Sequence, residues 1–163
     1  MKRAGTRAAA IAAAVVVASG AGCGGGGGGG SDDRLSKSEY EQKLKAEGSR
    51  LKAAFTASNI QQSSDINDLT AKVDKLKQEL EKSASDLDAL NPPSDAAADN
   101  TKLADALHKA AAKFEELKQA AKAQNQQKLQ TLTQEVGTVL QEGQAASDDL
   151  KKKGYDIGVL GQN

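Results

Sequence analysis

The feature that most limits how this chain can fold is a run of apolar residues between Ile66 and Leu90. Ile66, Leu69, Val73, Leu76, Leu80, Leu87 and Leu90 step by 3, 4, 3, 4, 7 and 3, which lays one narrow apolar seam along a helix. Only Ser83 interrupts the register. Between the seam positions stand Lys72, Asp74, Lys75, Lys77, Glu79, Glu81 and Lys82, a solvated outer face. Asn91-Pro92-Pro93 ends the helix, because proline forces its predecessor out of helical geometry and offers no N–H. The chain turns there, and the seam needs other helices, from this chain or from another, to cover it.

The flanking sequence supplies them. Ser36 can cap a first helix, with Glu39 closing the capping box and Leu35 stapling onto Tyr40. Tyr40, Leu44, Gly48, Leu51 and Phe55 then recur at three- and four-residue spacing, and Asn59 to Ser64 breaks the pattern. A third helix is expected from Ser94 or Asp95, with Leu103, Leu107, Ala110, Phe114, Leu117 and Ala121 on one stripe. Gln124-Asn125-Gln126 is a polar joint. A fourth carries Leu129, Leu132, Val136, Val139, Leu140, Gly143 and Leu150, with Gly154 as its C-terminal cap. No β pattern appears. The fold class is therefore all-α, an antiparallel up-down-up-down bundle of about four helices over residues 35–154. A long coiled coil of several chains is the rival, and the two breaks argue against one continuous rod.

The seams mix leucine with alanine and glycine, so neighbouring helices should approach closely while burying little area per residue. Gly48, Gly137 and Gly143 each cost about 1 kcal/mol relative to alanine inside a helix, and stability should be modest. Gly48 and Gly143 fall on apolar stripes, where a missing side chain admits a bulky residue from a facing helix. Residues 155–163 form a short tail whose Tyr155, Ile157, Val159 and Leu160 are apolar enough to fold back over a bundle end; a partner-binding tail is the alternative.

The N-terminal segment reads differently. Lys2, Arg3 and Arg7 precede an apolar run from Ala8 to Ala18, then small residues Ser19 to Gly22, then Cys23 and seven glycines, Gly24 to Gly30. A charged start, short apolar core and small-residue cleavage zone form an export signal over residues 1–22. The run is about half the roughly 20 residues that a membrane-spanning helix needs. Cleavage between Gly22 and Cys23 would leave the cysteine as a lipidated N-terminus; an ordinary secretory signal cut near Ala21 would leave it a free thiol. Residues 23–34 then act as a flexible tether, Gly24 to Arg34 spanning on the order of 18 Å. The two chains of a diacylglyceryl group anchor firmly where one holds only marginally.

Composition excludes several chemistries. The 22 basic and 22 acidic residues balance, and removal of the signal's three bases leaves the mature chain net acidic, which argues against nucleic acid as a partner. Lys151-Lys152-Lys153 is the one basic patch, in a position to complement a helix dipole. No tryptophan is present, and the single cysteine excludes an intrachain disulfide. His108 is the sole histidine, three residues after Asp105, and reads as a polar boundary residue with no second histidine or thiolate to complete a metal site. The acidic pairs Asp32-Asp33, Glu115-Glu116 and Asp148-Asp149 sit beside lysines on solvated faces. The expectation is no catalytic residue, no metal and no cofactor.

Residues 1–23 resemble the signal and lipobox of bacterial lipoproteins, with Gly22-Cys23 matching and Gly20 standing where the pattern usually has leucine. Taken whole, the chain resembles the small helical lipoproteins exported by high-GC Gram-positive bacteria. The resemblance is carried by Gly22-Cys23 with its glycine run, the Leu35-Ser36-Lys37-Ser38-Glu39-Tyr40 helix start, and Leu90-Asn91-Pro92-Pro93 leading into Leu103, Leu107, Phe114 and Leu117. It implies an extracytoplasmic location, membrane lipid as partner through acylated Cys23, and a helical architecture. The expected function is a non-enzymatic interaction or structural module at the cell envelope, with an envelope protein as partner. The alternative is a carrier of a small apolar ligand such as lipid. A sizeable apolar hole between helices 1 and 4 favours the carrier; a tight, dry seam favours the partner.

Overall fold

Ser36 Oγ accepts from the Glu39 N–H, and the Glu39 carboxylate accepts in return from the Ser36 N–H. This reciprocal box starts α1, which runs Lys37–Ser58. The structure, a computed structural model, describes residues 33–161. The signal segment 1–22 lies outside the described residues, as do Cys23 and all of the tether but Asp33 and Arg34. Leu35 is half-buried against the cluster that holds Tyr40, as the staple requires.

Asn59 ends α1 in the left-handed region, a short 3₁₀ turn follows at Ile60–Gln62, and Asp65 accepts from the Asn67 and Asp68 N–H groups to start α2, Ile66–Asp88. The third helix, α3, spans Ala97–Lys122 and the fourth, α4, Gln126–Lys152. The joint between them is a Schellman turn. Asn125 N–H donates to Ala120 O and Gln124 N–H to Ala121 O, with Gln124 at φ 53°. Asn125 then caps α4 by accepting from the Lys128 N–H. No strand occurs among the described residues.

Two boundaries differ from expectation. Neither Ser94 nor Asp95 caps α3, which starts instead at Ala97 out of a turn closed by Ala96 N–H donating to Pro93 O. The Asp95 carboxylate accepts from the Tyr155 hydroxyl at 2.7 Å, so it is drawn away from the helix start. At its other end α2 stops at Asp88 rather than Leu90.

Cross-helix ion pairs fix the directions. Lys77 meets Glu115 and Asp74 meets Lys118, while Lys109 meets Glu142 and Lys113 meets Glu135. Numbers rise on one helix as they fall on its neighbour, so successive helices are antiparallel. The same sense holds for α1 and α2, where Leu35 N–H donates to Asn91 O and Arg50 pairs with Asp86 and Glu79. The pairs α2–α3 and α3–α4 are closely packed, whereas α1 makes no close backbone approach to α4.

This asymmetry follows from the side chains. Ala104, Ala106, Ala110 and Ala111 are buried on α3, and their short side chains let α2 and α4 close in. Val73, Leu76, Leu80 and Leu87 fill the α2 seam as expected, but Ile66 is 41% exposed and contributes little. On α1, Tyr40, Leu44 and Leu51 are buried, while no residue from Lys52 to Ser58 is fully covered. The second half of α1 therefore stands off the bundle.

The tail closes one end. Gly154, at φ 82°, forms the Schellman cap of α4, with Tyr155 N–H donating to Leu150 O and Gly154 N–H to Lys151 O. Tyr155 and Ile157 are buried, and a 3₁₀ turn at Gly158–Gly161 lies against both α1 and α4. The tail thus packs as the bundle's end, the packing expected of it.

Candidate functional site

Where α1 and α4 fail to meet there is a cavity of about 600 Å³. Gly48 and Gly143 lie on its two sides, and neither fills it: both are the glycines of apolar stripes. Leu51 and Phe55 of α1, Leu80 and Leu87 of α2, Leu103 and Ala106 of α3, and Val139 and Leu140 of α4 complete a mainly apolar wall, with Val159 and Leu160 from the tail. A large apolar side chain stands exposed on each side of its rim, Phe55 at 41% and Leu140 at 54%. Its few polar lining groups are Glu47, Lys52, Gln144 and Ser147.

From Glu47 to Phe55 the α1 wall covers eight residue steps, roughly 12 Å at 1.5 Å per residue. One end of this stretch is closed by the cluster of Leu44, Leu87, Leu103 and Leu150. The other carries the exposed Phe55, whose ring meets Phe114 at 6.5 Å between centroids. On its far side α1 is separated from α2 by a second groove of about 560 Å³, lined by Ala53, Ala54 and Ala57 but also by Arg50, Lys72 and Glu79. Apolar character distinguishes the first.

Arg50, on the wall of the second groove, holds α1 to α2. Its Nη2 donates to Ser83 Oγ at 2.8 Å and its Nη1 to Asp86 at 2.7 Å. Hydrogen bonds from Lys82 and then Arg50 hold the Asp86 carboxyl below its ordinary range. Glu47 lies 2.8 Å from the same guanidinium, a charge contact without hydrogen-bond alignment. Ser83, fully buried, is the break in the α2 seam and also the partner that Arg50 needs.

A buried polar network ties the closed end together. Tyr40 donates to Asn100 Oδ1 at 3.1 Å, and Asn100 Nδ2 donates to Leu87 O at 2.8 Å. Asp99, 2% exposed, pairs with Lys153 at 2.6 Å and Lys102 at 3.0 Å. Burial acts to raise the Asp99 carboxyl, and the two lysines outweigh it, so the group sits below its usual range. Tyr40 and Tyr155 meet edge to face at 5.6 Å. Burial, aided by the hydrogen bond to Asp95, pushes the Tyr155 hydroxyl up to about 12, and burial raises Tyr40 further.

The residues singled out from sequence fall as follows. Gly22 and Cys23 lie outside the described residues. His108 is exposed and meets Asp88 of α2 at 3.0 Å, rather than Asp105 on its own helix. Glu115, Glu116, Asp148 and Asp149 all pair with lysines; hydrogen bonds from Lys118 and Gln119 lower Glu115 to about 2. Among the described residues no cluster of histidine, cysteine or carboxylate side chains could hold a metal, and no helix is long and apolar enough to cross a membrane. Lys151 and Lys152 pair within the last turn of α4, but Lys153 crosses to α3. Asp99 and Asn100 were not anticipated. Asn100 sits three residues before Leu103, on the α3 stripe, and that spacing was the available signal.

Comparison with known protein families, with characterised proteins and with solved structures produced no match.

Proposed function

We propose that the mature protein is a lipid-anchored, extracytoplasmic carrier of a small apolar ligand, held at the membrane through acylated Cys23. The occupant is a single acyl chain lying in the gap between α1 and α4. The observation that carries this reading is the mainly apolar cavity of about 600 Å³ with Gly48 and Gly143 on its walls.

A sizeable apolar hole between α1 and α4, in place of a tight, dry seam, favours a carried ligand over a partner helix. A hydrocarbon chain needs no more than such a hole supplies. With C–C bonds of about 1.5 Å it advances roughly 1.25 Å per carbon, so the roughly 12 Å wall sets an upper bound of about ten carbons, shortened at the Gly48 end where Leu160 lies against α1. Lys52 lines the cavity on the Phe55 side, where an anionic headgroup would find a cation.

The test is native mass spectrometry of the full-length protein extracted gently from membranes of the producing cell. The expected species is residues 23–163 plus a diacylglyceryl group, with a second, non-covalent amphiphile retained. A lipidated chain that retains no amphiphile and binds no added fatty acid would overturn the carrier reading. A soluble chain beginning near Ala21 would overturn the anchor.

A further inference from the structure

The last apolar residue of the chain reaches into the cavity from outside the four helices. Leu160 lines it together with Val159, and is half-buried against both core clusters. The turn that carries them, Gly158–Gly161, lies against α1 and α4, the two helices that do not approach each other.

Its seat is made by Gly48. A Cβ built on Gly48 would stand 2.8 Å from Leu160 Cγ, closer than real Cβ contacts come, and 3.1 Å from Val159 Cγ2, tighter than most of them. Glycine inside α1 costs about 1 kcal/mol relative to alanine, and it falls at the one place where Leu160 needs the room. The approach is set by what precedes it. Tyr155 is fixed by its hydrogen bond to Asp95, Asp156 by its N–H donating to Glu41 and by its pair with Lys45, and Ile157 by burial. Gly158 then turns at φ 57° and directs Val159 and Leu160 inward. Firm anchors thus end two residues before the cavity, and the side chains beyond them are half-covered.

Gly48 belongs to the closed end of the 12 Å wall and Phe55 to the rim. We propose that Leu160 is the floor of the cavity and sets the longest acyl chain it accepts. This rests on the carrier reading. A chain entering past Phe55 and Leu140 runs toward Gly48 and stops against the Leu160 side chain. Shortening that side chain deepens the site; enlarging it makes the site shallower. Gly48 contributes by leaving Leu160 space to lie flat on α1.

The experiment measures Kd for straight-chain fatty acids of increasing length, below their micelle concentrations, with the full mature chain and with Leu160→Ala and Leu160→Phe. In the unsubstituted protein each added methylene should tighten binding about fourfold, from roughly 0.8 kcal/mol per buried CH₂, until a limiting length is reached. Leu160→Ala should move that limit two or three carbons longer, and Leu160→Phe should move it shorter, with helical circular dichroism retained in both. Because the two shifts have opposite sign, a general loosening of the fold cannot imitate them, and either variant alone tests the floor if the other does not fold. Binding with the same limit in all three proteins overturns the role of Leu160 and leaves the carrier reading intact. No binding at any length by the unsubstituted protein overturns both.

Discussion

Replacing Gly143 with leucine tests whether the space between α1 and α4 is real and whether it is used. Gly143 lies within α4, and a Cβ there would meet Ala106 Cβ at 3.3 Å, a contact that needs a few tenths of an ångström of give. Removing a mid-helix glycine contributes about 0.8–1 kcal/mol. A leucine side chain entering the cavity and covered over about half its surface adds about 1–1.5 kcal/mol, half the value for full burial. Crowding against Ala106 subtracts about 1 kcal/mol, at the low end of overpacking costs. The balance is a stabilisation of about 1 kcal/mol, or roughly 4 °C in Tm for a domain of this size. Urea unfolding followed by circular dichroism reads the first number, and fatty-acid titration reads occupancy. Gly143→Leu should be more stable and should lose ligand. A loss of stability of 1 kcal/mol or more, about the size of the expected gain, would show that the space beside Gly143 cannot take a side chain. A stabilised variant that binds as before would show that the ligand lies elsewhere.

Three further outcomes follow from the polar contacts. Ser83→Ala should destabilise by about 1 kcal/mol through loss of the Arg50 hydrogen bond, and Ser83→Leu by more, although it perfects the α2 seam; a gain in stability by urea unfolding for Ser83→Leu would refute the role given to Arg50. Asp99→Asn should cost about 2 kcal/mol at neutral pH by weakening the charged contacts to Lys153 and Lys102. Since the folded Asp99 carboxyl sits below its ordinary value of 3.8, its contribution is present above about pH 4 and lost as pH falls through the folded value; the gap between the two proteins should narrow in acid, and an unchanged gap would refute the pairing. The two tyrosines should resist alkali. With Tyr155 at about 12 and Tyr40 higher, against an ordinary 10, their contribution is intact below about pH 10 and lost as pH rises beyond it. Tyrosinate absorbance appearing near pH 10 while the helices persist would contradict their burial.

Much of the architecture was legible from residue spacing. The capping box at Ser36, the Pro92-Pro93 stop, the polar joint at Asn125 and the Gly154 cap are local devices, and each works locally as read. Seam positions were less dependable: Ile66 and Phe55, near helix ends, and Leu140, in the middle of α4, fit their stripes yet stand exposed, because periodicity gives a face and not the presence of a neighbour to cover it. The cavity was half legible. Glycines at 48 and 143 marked a possible hole, but its size depends on α1 lifting away from α4, which no local pattern encodes. The closed-end network depends on partners about 60 residues apart, such as Tyr40 with Asn100 and Tyr155 with Asp95, and nothing in the neighbourhood of either residue announces the other.

The aromatic residues are sorted by position: Tyr40 and Tyr155 meet at the closed end, Phe55 and Phe114 beside the rim. With no tryptophan in the chain, its intrinsic fluorescence comes from the tyrosines and reports the closed end alone. An event at the rim is optically silent unless it reaches that pair. The molecule therefore carries a built-in two-zone readout: a tryptophan placed at the exposed Phe55 would light the rim separately, and the two signals would show whether opening one end disturbs the other.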